Sequence, residues 1–301
     1  MRRASRPKTT KKRPGAEWRT RAPKKRPGVV IVGFGRLGGA LGLRLREAGW
    51  PVWALPRSAE AVRRAVRFNV PLADHDALQA ARLCILAVPD AAVGSCAAQM
   101  DEDLGPDTAL VHCAGALDLS AFGDRQSIVE RVRGSFHPLV AISDPRDVIA
   151  NHAVAVAVSD RALMPVLWSL ALALRLRPIE VPEALRPTYH AGAVMSAGLL
   201  VALLDAAVAA LHEAQVPRDE AIAALLPLAE SALRGAAQRG LSKGLTGPIA
   251  RGDIGVVQAH LNALPLPLAQ IYRQLSMRAL ALVESGLPRE TRRALERLLS
   301  E

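Results

Sequence analysis

The stretch VVIVGFGRLGGALGLRLREAGWPVWALPRS, residues 29–58, constrains this chain more than any other. Four β-favouring residues, Val29–Val32, run into Gly33, Gly35 and Gly38 at G-x-G-x-x-G spacing. Leu37, Leu41, Leu45 and Ala48 then recur at helical intervals, and Gly49 closes the helix before a second strand over Val52–Leu55. Small residues at those three places permit a tight turn, close approach of backbone N–H groups to a pyrophosphate, and tight packing of helix on strand. The spacing alone is a weak signal, but between a strand and a helix it reads as a dinucleotide-binding turn. Gly33, Phe34, Gly35, Arg36, Leu37 and Gly38 are therefore the expected cofactor loop.

Further strands are predicted at residues 83–88, 109–112, 134–136, 153–158 and 176–181, with helical pattern between most of them. That alternation argues a mostly parallel sheet covered on both faces. Asp76 with Gln79 reads as a capping box opening the helix before residue 83, a structural reason for the run "DHD". After Pro182 the strands stop. An Ala/Leu-rich helical pattern then continues to Glu301, broken at Pro217, at residues 240–248 and at residues 265–267. The expected fold is α/β, a Rossmann-type mostly parallel sheet domain followed by an all-α helical domain. The expected limits are 1–27 for a disordered basic tail, 28–183 for the sheet domain and 184–301 for the helical one. The longest uncharged apolar run, residues 191–204, ends at Asp205. At fourteen residues it is too short to span a bilayer and reads as a core or dimer-interface helix.

The formal charge of +11 suggests nucleic acid until its position is considered. Residues 1–27 hold twelve Lys and Arg against Glu17 alone, leaving 27 basic and 27 acidic residues in the rest. The charge thus belongs to a Pro/Lys/Arg-rich tail with too little apolar surface to fold, and nucleic acid is not the expected partner. No apolar stretch follows Arg2-Arg3, so no secretory or twin-arginine signal is read there and a cytoplasmic location is expected. Cys84, Cys96 and Cys113 are odd in number and lack ligand spacing, which fits reduced, buried thiols.

The second strand ends in Pro56-Arg57-Ser58, where an NAD site would offer an acid to the ribose hydroxyls. Arg57 and Ser58 suit a 2′-phosphate instead, so NADP is expected over NAD; a surface arginine in a loop is the plainer reading. In "ILAVPDAAV" the Val88-Pro89-Asp90 turn follows a strand, placing Val88 and Pro89 on the cofactor pocket and Asp90 as a helix cap. His112, His137 and His190 fall near strand ends or open the first helix of the second domain. Each alone suits a hydrogen-bonded structural histidine; together they suit a shared polar site in a cleft. They are too dispersed for a zinc signature, and no metal is expected.

The segments "HCAGAL", "FHPL", "YHAGAVMSAG", "LTGPIARGD" and the later "AHL" resemble those of Rossmann-like and DUF2520 domain-containing proteins. That family is related to the prephenate dehydrogenase, pyrroline-5-carboxylate reductase and 3-hydroxyacid dehydrogenase group. The resemblance runs from Val29 to about Val283. It implies an NADP-binding Rossmann domain, a helical domain that forms a homodimer, and a reduction or dehydrogenation. "GSFHPL" is similar to the Gly-His-Pro segment that holds substrate in prephenate dehydrogenases, which puts His137 on the substrate side. The chain departs from the family pattern at Ala114, Arg186 and Gly198, where relatives carry Ser, Lys and Asn. An arginine has too high a pKa to act as a matched proton donor, so Arg186 is expected to bind substrate together with His112. His190 and His137 are the expected catalytic pair.

Thr246, Arg251 and Asp253 of "LTGPIARGD" are expected on a loop between helices. There Arg251 and a helix N-terminus would receive a substrate carboxylate; the alternative is a Gly-Pro turn with an internal Arg251–Asp253 pair. The whole reads as an NADP-dependent oxidoreductase moving hydride between nicotinamide and a C=O or C=N carbon of a small anionic metabolite. By analogy this is a 2-keto acid such as ketopantoate, or a cyclic imine. The alternative is a non-catalytic NADP-binding sensor or scaffold, which the losses at Ala114, Arg186 and Gly198 favour.

Overall fold

A computed structural model describes residues 26–283 and 286–300. The expected basic tail therefore lies almost wholly outside the described residues. The chain divides into two compact units, 1–194 and 195–301, so the break comes later than residue 183 and leaves His190 in the same unit as His112 and His137.

The first unit runs β1 (Val29–Val32), α1 (Arg36–Glu47), β2 (Val52–Leu55), α2 (Ala59–Arg67), α3 (His75–Ala80), β3 (Leu83–Leu86), α4 (Val93–Met100), β4 (Ala109–His112), α5 (Gln126–Glu130), β5 (Arg133–Pro138), β6 (Ala153–Val158), α6 (Met164–Ala173) and β7 (Arg177–Glu180). They form a seven-stranded sheet in the order β2-β1-β3-β4-β5-β6-β7. Only the β5–β6 pairing is antiparallel. Period-two alternation splits the core between the two faces. Val29 and Ile31 join Leu41, Leu45, Ile85, Val111 and Phe136 on one side; Val30 and Val32 join Cys84, Leu86, Leu110 and Phe122 on the other. Each such side chain contributes about 1.5–3 kcal/mol on burial.

The order in which strands are added switches sides between the parallel neighbours β1 and β3, and there the carboxyl edge of the sheet opens into a crevice. The glycines hold that edge together. A Cβ on Gly38 would lie 2.0 Å from the Gly33 carbonyl oxygen, so helix α1 reaches the turn only because residue 38 has no side chain. Gly33 itself has φ +83°, in the left-handed region that glycine adopts without strain.

Two caps differ from expectation. Helix α3 is capped by Asp74, whose carboxylate accepts from Ala77 N at 2.8 Å, so the helix starts two residues ahead of the expected Asp76 box. Asp90 caps nothing: it lies inside a short 3-10 turn that begins after Pro89, with no side-chain cap.

The second stretch is helical: α7 (Arg186–Ser196), α8 (Gly198–Glu213), α9 (Arg218–Arg239), α10 (Leu241–Gly244), α11 (Pro248–Arg251), α12 (Ile254–Ala263), α13 (Leu266–Leu282) and α14 (Arg289–Ser300). Ile249, Val257, Leu261, Leu280, Leu295 and Leu299 form its core. The apolar run at 191–204 is not core. Met195, Leu199, Val201 and Leu203 are exposed, and α8 and α13 flank an apolar groove of about 370 Å³ lined by Leu203, Ala207, Leu211, Leu268, Ile271 and Leu275.

The helical stretch containing that run is also longer than its fourteen apolar residues. Glu183–Glu213 is long and apolar enough to cross a membrane by length and composition, with mean hydropathy 2.2. Arg186 in its first turns is hydrogen-bonded into the sheet unit, and Asp205 is ion-paired with Arg218 at 2.6 Å.

Candidate active site

At the β1–β3 crevice, Gly33, Phe34, Gly35, Arg36, Arg57, Ser58, Val88 and Pro89 all line one cavity of about 550 Å³. Leu37 and Gly38 do not line it; they support it from helix α1. The residues fit a dinucleotide. Nothing lies within 4 Å of the place where a Cβ on Gly35 would stand. Gly35 is also the N-cap of the twelve-residue α1 and supplies no side-chain cap. The first N–H groups of that helix are thus left for an anion arriving through open space.

Sequence reading missed Arg64. From α2 it lines the same cavity, donates from Nη1 to the Phe34 carbonyl at 2.8 Å, and pairs with Glu60. One arginine thus clamps the glycine turn from the neighbouring helix. Arg57 contacts Cys96 Sγ, and Ser58 caps α2 by accepting from Ala61 N at 3.2 Å, so Ser58 has a structural duty besides facing the cavity.

The histidines gather further along the same carboxyl edge. His112 ends β4 and aligns with Ser135 on β5; His137 lies near the end of β5, and His190 is in α7. The His137 and His190 rings meet edge to face at 5.6 Å between centroids. A Cβ on Gly115 would lie 2.8 Å from His190 Nε2 and 2.9 Å from His137 Nε2. Both rings therefore pack directly over Gly115, an approach that only a glycine permits, and it brings their Nε2 atoms side by side. His137 Nδ1 is 2.7 Å from the Tyr189 hydroxyl.

His112 and Arg186, expected to touch substrate, stand behind these rings. Both are wholly buried. Arg186 donates from Nη1 to Ser135 Oγ and from Nη2 to the Ala114 carbonyl, each at 2.8 Å. His112 Nε2 donates to the Asp118 carbonyl at 3.3 Å, so its Nδ1 is an acceptor, and it has no partner among the described residues.

The electrostatics follow from that burial. His112 is pushed down to about 4 by burial, reinforced by the Arg186 charge. His137 is pushed down to about 4 by burial, then by His190, Arg186 and His112. Tyr189 is pushed up to about 12 by burial, opposed by Arg186. Among the described residues no carboxylate lies within ion-pair distance of Arg186; burial lowers its pKa, and Tyr189, Glu183 and Asp118 offset that from further away.

Gly115, Ser135 and Tyr189 were missed from sequence. Gly115 and Tyr189 lay inside the quoted segments "HCAGAL" and "YHAGAV", but nothing local marks a glycine as a shelf for imidazoles from two other elements.

In the second unit, Arg251 Nε donates to Asp253 Oδ2 at 2.8 Å, with both side chains partly or well exposed. The internal pair considered for this loop is thus present. Thr246 precedes Gly247, whose φ of +102° starts the turn into α11. Gly252 is in the left-handed region, and a Cβ there would meet Thr291 at 2.7 Å. Much of "LTGPIARGD" therefore serves a tight helical corner.

These features define a Rossmann-type α/β protein with a glycine-rich anion cradle, followed by a helical unit. The chain matches the Rossmann-like domain model over residues 13–124 and the DUF2520 model, a domain of unknown function, over residues 152–279. The two matches follow one another along the chain.

No curated protein matches the chain. Among solved structures it is similar to a proposed NADP oxidoreductase from Bacteroides fragilis, with 22% identity over 85% of this chain and 98% of that one, TM-score 0.68. It is also similar to an NADH-preferring ketol-acid reductoisomerase from an uncultured archaeon, at 16% identity over 86% and 82%, TM-score 0.65. A third is pyrroline carboxylate reductase from Plasmodium falciparum, solved with NADP bound, at 11% identity over 92% and 98%, TM-score 0.58.

Proposed function

We propose that the protein is an NAD(P)-dependent oxidoreductase, with NADP preferred, acting on a C=O or C=N carbon of a small anionic metabolite such as a 2-keto acid or cyclic imine. The observation that carries this reading is the pair of imidazole rings packed over Gly115, on the sheet edge that also bears the glycine cradle. Neighbouring strands lie about 4.8 Å apart, so β5 is roughly 14 Å from β1 in the order β1-β3-β4-β5. His137 on β5 thus stands three strands along this edge from the glycine turn that follows β1. Structures similar to this one carry names of NADP- and NADH-using reductases, which supports the same class.

Bound NADP would supply or accept the hydride at the substrate carbon. Gly33, Gly35 and the start of α1 would hold its pyrophosphate, and Arg57, with Arg36 and Arg64 beside it, its 2′-phosphate. His190 is only half-buried, so it can exchange a proton with solvent and deliver it to the reacting oxygen or nitrogen. The unpaired Arg186 charge favours an anion and a negatively charged transition state at this edge. Arg251 remains the proposed carboxylate contact from the helical unit, with Thr246 and Asp253 beside it, and a second copy of the chain the proposed cover for the exposed apolar faces of α8 and α13.

Arg57→Ala tests the cofactor assignment. Loss of one charged hydrogen-bonding contact, about 1.5–3 kcal/mol, should weaken NADP ten- to a hundredfold and NAD little. Equal affinity of the intact protein for NAD and NADP would overturn it. The burial of Arg186, which removes the family's lysine position from direct chemistry, favours a sensor as second reading. A sensor binds NADPH and leaves it unconsumed across a panel of keto acids and imines, whereas an enzyme oxidises it with at least one.

A further inference from the structure

The two histidines above Gly115 are not equivalent. Among the described residues His190 makes no side-chain hydrogen bond, and it is half-buried, whereas His137 is tied through Nδ1 to the Tyr189 hydroxyl at 2.7 Å. The phenol and imidazole meet edge on, at 90° and 5.7 Å between centroids. Among the described residues, His137 Nδ1 is the one hydrogen-bond partner of that hydroxyl. A phenol can donate its one proton or accept one, and among the described residues the imidazole nitrogen is the one acceptor within reach of that proton, which favours donation from Tyr189 to Nδ1. The nitrogen that accepts is unprotonated, so in a neutral ring the proton sits on Nε2, the atom 2.9 Å from the Gly115 Cβ position.

We infer that Tyr189 is a positioning residue that locks His137 in the Nε2–H tautomer, making it a neutral hydrogen-bond donor to the reacting oxygen or nitrogen of the substrate. The inference rests on the functional reading above for what binds beside the rings, but not for the tautomer itself.

Three further observations agree. Burial keeps the phenol protonated, with its pKa up at about 12. The groups facing His137 are His190, Arg186 and Tyr189 from α7 and His112 from β4; none is a carboxylate, and His137 stays neutral down to about pH 4. The Arg186 guanidinium lies over the Tyr189 ring at 5.9 Å and is itself fixed to Ser135 and Ala114. Ring, phenol and guanidinium thus form one braced stack that orients a donor before substrate arrives, as an oxyanion-stabilising group requires. His190, outside the stack, is left to carry the mobile proton.

The tautomer can be read directly, without turnover, by nitrogen-resolved NMR of the histidine rings in the full-length protein, with His137 assigned by the signal lost in His137→Gln. At neutral pH the wild-type ring should be more than nine-tenths Nε2–H. In Tyr189→Phe the Nδ1–H form should rise at least several-fold while the thermal midpoint of unfolding stays within a few degrees. A wild-type His137 that is mainly Nδ1–H, or is imidazolium at pH 7, overturns the inference even if Tyr189→Phe fails to fold. So does a folded Tyr189→Phe with an unchanged tautomer ratio. Failure of every tested substrate to oxidise NADPH would count against the functional reading and leave the tautomer result standing.

Discussion

Acidification should destabilise the sheet unit well before its carboxylates titrate. His112 and His137 each have a pKa of about 4 when folded, against 6.5 for an unperturbed histidine. Between those values the unfolded chain binds protons that the folded chain refuses, so stability present above pH 6.5 is lost as pH falls toward 4. Linkage sets the slope at about 1.4 kcal/mol per pH unit per histidine, hence about 2 kcal/mol each, or roughly 4 kcal/mol together, between pH 7.5 and 5. The carboxylates with clear shifts, Asp101, Asp118 and Asp147, are all lowered from 3.8, so their contribution is lost only below this window. Urea unfolding followed by tryptophan fluorescence reports on the sheet unit, because Trp50, Trp53 and Trp168 stand in it and no tryptophan follows residue 194. His137→Gln should remove about half of the pH dependence. A stability that changes by less than about 0.5 kcal/mol over that range in the wild type, or an unaltered slope in His137→Gln, would refute the burial argument.

Gly115→Ala should leave NADP affinity intact and lower the unfolding midpoint by only a few degrees, because the methyl collides with imidazoles that can swing away rather than with backbone. The ring signals of both His137 and His190 should nevertheless move, and kcat/KM with any substrate found should fall at least tenfold; unshifted rings would show that the packing over Gly115 is drawn wrongly. Arg251→Met and Asp253→Asn should each cost less than about 1 kcal/mol of stability, since the pair is exposed. If Arg251 binds the substrate carboxylate, only Arg251→Met should lower kcat/KM, ten- to a hundredfold. Loss of NADP binding in a folded Arg251→Met would instead assign the loop to the cofactor.

The sequence by itself determined the sheet and the cradle, because both rest on local periodicity and on residues close in the chain. Seven strands follow from runs such as "VVIV" and "LCIL", and the strand–glycine–helix unit needs only the backbone freedom of Gly33 and the missing side chains of Gly35 and Gly38. The helix breaks at Pro217, 240–248 and 265–267 were legible for the same reason. Caps were less legible: Asp74 and Asp76 are both reasonable, and only the backbone path selects Asp74. What tertiary structure alone decided was which side of the site each polar residue occupies. Arg186 and His112 looked like substrate contacts, but packing of α7 against β4 and β5 buries both, so that Arg186 acts as a charge behind the wall. The same packing brings Gly115, His137, Tyr189 and His190 together across 75 residues of chain. No pattern of apolar spacing encodes that meeting, because it depends on the volume left where three elements converge.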